Sequence, residues 1–447
     1  MLPPVRPKLG SERRTPLTAN DLISRSGGMT KVADQWLRDI LILLAQNRTV
    51  TRAEILEVTG YNPASVSHAL RYLTRAGVIL KVGKLESKAG RRQEILQINA
   101  EAGFLAAIDL EGAKIRFALT NLVGDVRYRW EEEVRIGDVL DGKRVVHGLQ
   151  RVFANLSPEQ RGRVLAIGVC HPGYPDRDGC VTAVNIGWHD FPIREQLVRA
   201  YALPVFLEEA HHTYIQAERW LGTARHVRNC VYVIVGQGIG AGCFVDDHLL
   251  EGATGIGSEF GHVVSDPEAP DRCACGRRGC LESIASAPNV VRQFVEATTH
   301  GRSKVLRDVD LAFVLDAARH NDPTALKVVD RAARSLGIAL SQLVQILGPE
   351  LIVLGGEIVS GQDLFLPRIR TVLAGFVTPK LGDAVRITVS SLGLDIGLKG
   401  AAAMAFRRSV MDSKLLRERI CEPIAPQPRA KNSKPRRSTA NAASKSG

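Results

Sequence analysis

The sequence predicts an α/β chain that begins with a small helical domain closed by a β-hairpin and continues as two similar lobes. Three observations carry this. Residues 34–75 place apolar side chains at helical spacing in three short blocks, and residues 78–98 then alternate as two strands. From Phe104 onward, strands alternate with helices. The pattern of strand, Gly turn and strand then occurs twice, at Phe104–Leu122 and at Cys230–Val245, which suggests two lobes facing each other across a cleft. The 447 residues allow about three domains at roughly 150 residues each. With 45% hydrophobic and 24% charged side chains, the composition is globular and excludes collagen, a coiled-coil rod and wholesale disorder.

Residues 1–30 mix Pro, Ser, Arg and Gly without periodicity and are expected to be a disordered basic arm. From Asp34 a helix is predicted with Trp36, Ile40, Leu43 and Leu44 on one face. A second helix fits Thr51 to Thr59, with Thr51 and Glu54 spaced as a capping box. Gly60-Tyr61-Asn62 makes the turn. The third helix opens with Pro63, where a missing N–H costs little, and runs to Arg75 with Val66, Leu70 and Leu73 inward, ended by Gly77. Strands Val78–Val82 and Ile95–Ile98 follow, joined by a basic tip.

Three helices and a basic-tipped hairpin make a winged helix-turn-helix over residues 31–100. Ser65, Ser67, His68 and Arg71 are then expected to project from the recognition helix toward base edges and phosphates of double-stranded DNA. Lys84, Lys88, Arg91 and Arg92 on the hairpin are expected to reach a minor groove or grip phosphate.

Charge distribution agrees. The chain holds 59 Lys and Arg against 47 acids, a formal charge of +12. Residues 1–100 hold 16 basic and 8 acidic side chains, and residues 423–447 hold 6 basic and no acidic ones. The body between them is close to neutral. The tail over 423–447 is expected to be disordered, either a solubilising appendage or an auxiliary DNA arm. No run of about 18 apolar residues exists, so no membrane span is expected. The N-terminus lacks a secretory core, so the cytoplasm is the expected compartment.

Three of the 8 cysteines crowd into residues 273–280, which points to metal rather than disulfides. His262, Cys273, Cys275 and Cys280 supply an imidazole and three thiolates, a closed tetrahedral set suited to structural zinc. Glu259 and Glu282 flank this loop and are candidates to accept hydrogen bonds from vicinal hydroxyls.

Glu259-Phe260-Gly261-His262, the Cys-x-Cys-Gly-x-x-Gly-Cys-x-Glu run from Cys273 to Glu282 and the Gly236–Gly242 turn together resemble the ROK family of sugar kinases and sugar-responsive repressors. The winged helix resembles its repressor branch. This resemblance, over roughly residues 34–410, implies an actin-like, ribonuclease-H-like two-lobed body with sugar bound between the lobes. It also implies that Glu259, His262 and Glu282 contact sugar hydroxyls, with Asn185, after His171-Pro172-Gly173, close by. Ile352–Gly356 is similar to the family's adenosine-side segment. Lobe 1 is expected over 101–225, lobe 2 with the zinc loop over 226–385, and a C-terminal strand and helix closing on the body over 386–422.

Two departures count against kinase chemistry. Where the family's kinases show Asn-Asp-Ala-Asn, this chain has Glu209-Ala210-His211-His212, with Ala210 at the catalytic Asp and Glu209 at a sugar-binding Asn. A methyl group is no base. Asp109-Leu110-Glu111-Gly112-Ala113 stands where the family shows Asp-Leu-Gly-Gly-Thr, which sets a carboxylate beside the expected phosphates. The expectation is therefore no catalytic residue. The chain is read as a sugar-responsive repressor acting as a homodimer or homotetramer on operator DNA, with a carbohydrate effector. The alternatives are an ATP-dependent sugar kinase with a DNA-binding appendage and a regulator controlled by a protein partner.

Overall fold

A computed structural model describes residues 31–85, 93–112, 114–134, 140–176, 178–183, 186–253, 257–299 and 309–421. The predicted arm and tail, the hairpin tip with Lys88, Arg91 and Arg92, and also Ala113 and Asn185, lie outside the described residues.

The first domain comprises α1 (Lys31–Asn47), β1 (Thr49–Thr51), α2 (Arg52–Thr59), α3 (Pro63–Arg75), β2 (Ile79–Leu85) and β3 (Gln93–Ile98). The capping box forms as spaced, with Thr51 Oγ1 accepting from the Glu54 N–H and Glu54 from the Thr51 N–H. Asn62 caps α3 ahead of Pro63. The strands make a sheet in the order β1-β3-β2. Two expectations shift. α1 begins at Lys31 and buries Leu37, Ile40, Leu41 and Leu44, leaving Trp36 and Leu43 half-buried. In α3 the buried positions are Ser65, Val66, Ala69 and Leu73, with Leu70 half-buried.

The body is built from two five-stranded sheets of the same topology. In the first, β4 (Phe104–Asp109), β5 (Lys114–Asn121) and β6 (Val126–Glu133) form an antiparallel meander. After α4 (Gly142–Phe153) and α5 (Pro158–Gly162), β7 (Val164–His171) joins β4 in parallel. A small sheet of β8 (Tyr174–Pro175), β9 (Val181–Ala183) and β10 (Trp188–Phe191) intervenes. After α6 (Ile193–Tyr201), β11 (Val205–Glu209) completes the order β11-β7-β4-β5-β6, and α7 (Ala210–Trp220) follows.

The second sheet repeats this plan. β12 (Cys230–Val235), β13 (Ile239–Val245) and β14 (His248–Leu249) form the meander. The helices α8 (Leu281–Ala285), α9 (Ala287–Thr299), α10 (Leu311–Arg319) and α11 (Pro323–Leu347) precede β15 (Leu351–Gly355). After α12 (Gln362–Phe376) and α13 (Pro379–Ala384), β16 (Arg386–Val389) pairs in parallel with β15. The order is β14-β13-β12-β15-β16. The predicted strand–turn–strand repeat is thus the start of each sheet. Among the described residues, no helix is long and apolar enough to cross a membrane.

The last segment divides between the lobes: β16 extends the second sheet past residue 385, whereas α14 (Ile396–Met411) packs on α7 and on β4 and β7 of the first. The approach is close, since a Cβ at Gly168 would lie 2.0 Å from the Ala401 carbonyl oxygen. One apolar core runs from Leu37, Ile40 and Leu41 of α1 through Trp220 to Ala402 and Phe406 of α14. Asp34, 1% exposed, accepts two hydrogen bonds from Arg417, at 2.9 Å from Nε and 2.8 Å from Nη2. Arg225 Nε donates to the Gln46 carbonyl at 2.9 Å. The winged domain is therefore docked on the body by its first helix.

Candidate functional site

On the winged domain, Arg71, Thr74 and Arg75 form the exposed side of α3, with His68 half-buried, and Lys84 stands exposed on β2. Ser65 does not project: it is 3% exposed, beside the apolar stripe. The stripe is wider than Val66, Leu70 and Leu73, and a small hydroxyl on its flank fits beneath the neighbouring helix. Ser67 is half-buried and its hydroxyl is engaged, donating to the Pro63 carbonyl at 2.6 Å and accepting from Arg52. Arg75 and Arg52 were missed as basic members of this surface; four-residue spacing from Arg71 was the available signal for Arg75.

The cysteine loop brings its four side chains together. The ligand atoms of His262, Cys273, Cys275 and Cys280 all lie within 4.8 Å of one another. Cys275 Sγ is 3.7 Å from Cys280 Sγ, and Cys273 Sγ is 3.5 Å from His262 Nδ1. A tetrahedron with metal–sulfur bonds of about 2.3 Å has sulfur–sulfur edges of about 3.8 Å, so the donor set fits a closed metal site. Gly279 has φ 71° and lies where a Cβ would come within 2.1 Å of the Asp266 carbonyl. Only glycine lets Cys280 turn inward there. The Arg277 N–H and neighbouring thiols hold the Cys275 thiol down to about 6, favouring thiolate.

Between the lobes, burial, followed by the charge of the neighbouring Glu259 carboxylate, pushes the Tyr174 phenol up to about 12. His262 Nε2 is 3.7 Å from Glu259 Oε2, so the imidazole turns Nδ1 to the thiols and its other nitrogen to the cleft. Glu282 is anchored: its Oε2 accepts from the Ile239 N–H at 2.9 Å. Tyr174 was missed, although it directly follows His171-Pro172-Gly173.

Ala210 is the first residue of α7, and Glu209 is its N-cap without a side-chain capping bond. Burial pushes Glu209 up to about 8 and His211 down to about 4. Burial opposes the charge on Glu208, but hydrogen bonds from His212 and Arg408 outweigh it and hold its carboxyl below the usual range. His171 is fully buried and burial pushes it down to about 4. At the first Gly turn, Asp109 accepts from the Glu111 N–H at 3.1 Å. Glu111 Oε2 is buried without a partner, and burial followed by Asp109 pushes its carboxyl up to about 7. At the second, Glu357 Oε1 accepts from Gln237 at 2.8 Å. Each turn thus carries a carboxylate.

The ROK family model matches residues 105–408. The chain belongs to the ROK family. The xylose repressor of Bacillus spizizenii is 27% identical over 369 residues, 82% of this chain and 93% of that protein. A glucokinase of Halalkalibacterium halodurans is 31% identical over 304 residues, 66% of this chain and 92% of that protein. Among solved structures, a ROK family transcriptional regulator described as a homologue of the E. coli MLC protein superposes with a TM-score of 0.72. It is 24% identical and covers 88% of this chain and 99% of its own. The xylose repressor and the solved regulator thus match a larger share of this chain than the glucokinase does.

Proposed function

We infer that this ROK protein is a transcriptional repressor that binds operator DNA through its winged helix and responds to a carbohydrate held between its lobes. The observation that carries this is Ala210. At the head of α7, where the kinase resemblance requires a base, the chain has a methyl group, and Glu111 puts a carboxylate into the first Gly turn. Phosphoryl transfer depends on positioning and on neutralising phosphate charge, and both are compromised here. The similarity to a xylose repressor over most of both chains supports the same reading.

Arg71, Arg75 and His68 of α3 would face the major groove, with Lys84 and the hairpin tip residues Lys88, Arg91 and Arg92 on the adjacent backbone. Glu259, Glu282, His262, Tyr174 and Asn185 would meet the hydroxyls of the effector. His262, Cys273, Cys275 and Cys280 would hold zinc, whose role is to fix the loop that carries Glu259 and Glu282; a closed four-ligand site leaves no position for chemistry. A homodimer or homotetramer would place two winged helices on half-sites one helical turn apart, and the effector would act by its differential affinity for two lobe arrangements.

The test pairs two measurements on the full chain. Gel-shift titration against the DNA upstream of its own gene, at fixed salt, is expected to give a discrete complex altered by one member of a carbohydrate panel. A coupled assay for ATP-dependent phosphorylation of that panel is expected to show no turnover. Turnover without a shifted complex would overturn the proposal.

A further inference from the structure

The head of α7 gathers more chemistry than a lost base explains. Glu209 is 3% exposed, and both of its carboxylate oxygens are buried without a hydrogen-bond donor. His212 is fully buried, and Nε2 of both His211 and His212 is likewise buried without a hydrogen-bond partner. Glu209 Oε2 and His211 Nε2 approach to 3.1 Å, yet they are not aligned to share a proton. One ligand atom from each of Glu209, His211 and His212 lies within 4.8 Å of the others. Each of these three neighbouring side chains thus carries a buried atom that could bind a metal and has no hydrogen-bond partner. Burying a carboxylate with no donor costs several kcal/mol unless a proton or a cation compensates it.

We propose that Glu209, His211 and His212 form a second metal site, separate from the cysteine loop, for a borderline divalent ion such as Zn2+, Co2+ or Ni2+. Two imidazoles and one carboxylate select this borderline class over Mg2+ and Ca2+, which take oxygen ligands. The outer layer is already built. Glu208 Oε1 lies 3.2 Å from His212 Nδ1, and Glu208 is itself held by Arg408 at 2.8 Å. A carboxylate that accepts a hydrogen bond from Nδ1–H leaves the Nε2 lone pair free for metal and fixes the ring, the usual support of a histidine ligand. Closing the three atoms to metal-bond lengths of about 2.1 Å requires side-chain shifts of about 1 Å.

Three protein ligands leave at least one coordination position open, on the side of the cleft where Tyr174 and Glu259 lie close to Glu209. A hydroxyl of the bound ligand can complete the shell there. α7 also packs against α14 and α1, so an ion at its first turn sits on the helix that touches the winged domain. This site goes beyond the repressor reading and does not depend on it.

The experiment uses the full-length chain, with bound metal counted by mass spectrometry after equilibration with Zn2+ and free metal removed. Wild type is expected to retain one ion more per chain than the double variant Glu209→Gln, His211→Gln, whose fold is checked by circular dichroism. A parallel Co2+ titration of wild type distinguishes the sites: cobalt on the cysteine loop shows thiolate charge-transfer absorption, whereas cobalt on Glu209, His211 and His212 shows d–d bands without it. Equal metal content in wild type and the double variant overturns the proposal. Should the double variant fail to fold, the cobalt titration decides alone, and absence of a thiolate-free class of bound Co2+ overturns it.

Discussion

Replacing Arg417 by Ala strips the partner from Asp34, a carboxylate 1% exposed in α1 that accepts two hydrogen bonds from that guanidinium. Removing one member of a buried ion pair costs about 3–5 kcal/mol, because the remaining charge stays in low dielectric. The Arg417 side chain is 36% exposed, so water screens part of the pair, and about 2–3 kcal/mol is the expected loss. The second variant is decisive. Asp34→Asn together with Arg417→Ala removes the stranded charge as well, and should recover about 1–2 kcal/mol of the single-variant loss. Urea unfolding followed by tryptophan fluorescence reads this, since Trp36 lies on α1, the helix that carries Asp34. The Arg417→Ala protein should unfold its winged domain at lower urea than its body. An Arg417→Ala midpoint equal to wild type, or a double variant no more stable than the single one, would refute the reasoning that this pair docks the domain.

Cys275→Ser is expected to abolish metal binding at the cysteine loop and lower the melting temperature of the body, since structural metal binding is coupled to folding; elemental analysis and calorimetry read it. Restoring the base by Ala210→Asp should yield no kinase turnover in a coupled assay, because Glu111 still occupies the first Gly turn. Glu111 itself gives a pH signature. Its folded-state value, raised from 4.5 to about 7, means that the folded protein binds the extra proton in that window, so this group's contribution falls as pH rises through it. Glu111→Gln should therefore be more stable than wild type above pH 7, by up to about 3 kcal/mol, and indistinguishable from it below about pH 4.5. Arg71→Ala and Arg75→Ala should each weaken operator binding and reduce the salt slope by about 1, read by fluorescence anisotropy across salt concentrations.

What the sequence makes legible here is what is local. Thr51 with Glu54, and Asn62 with Pro63, cap their helices through contacts three residues away, so spacing alone places them. The cysteine loop spans eight residues from Cys273 and its glycines announce the turns. Ser65 was misplaced because a helical stripe is a sector rather than a line, and which flanking residue lies beneath a neighbour depends on helix crossing. Nothing local marks Asp34 as buried, since its partner is 383 residues away. The sharing of the final segment between two lobes was invisible for the same reason: four residues at Arg386–Val389 carry no mark of which edge they will join. At Glu209, His211 and His212 the residue types were plain, but their convergence needed the observation that α7 begins at Ala210.

The first sheet and the winged domain both rest on α14 and the turn that follows it, near the end of the chain. During synthesis the winged domain leaves the ribosome before the body, yet the surface that receives α1 does not exist until α14 and Arg417 have emerged. A nascent or prematurely terminated chain therefore carries a winged helix with no dock, free of the geometry that a ligand in the body could impose. Loss of a short C-terminal stretch is expected to uncouple DNA affinity from the effector rather than to abolish DNA binding, so truncations there would resemble signalling mutants.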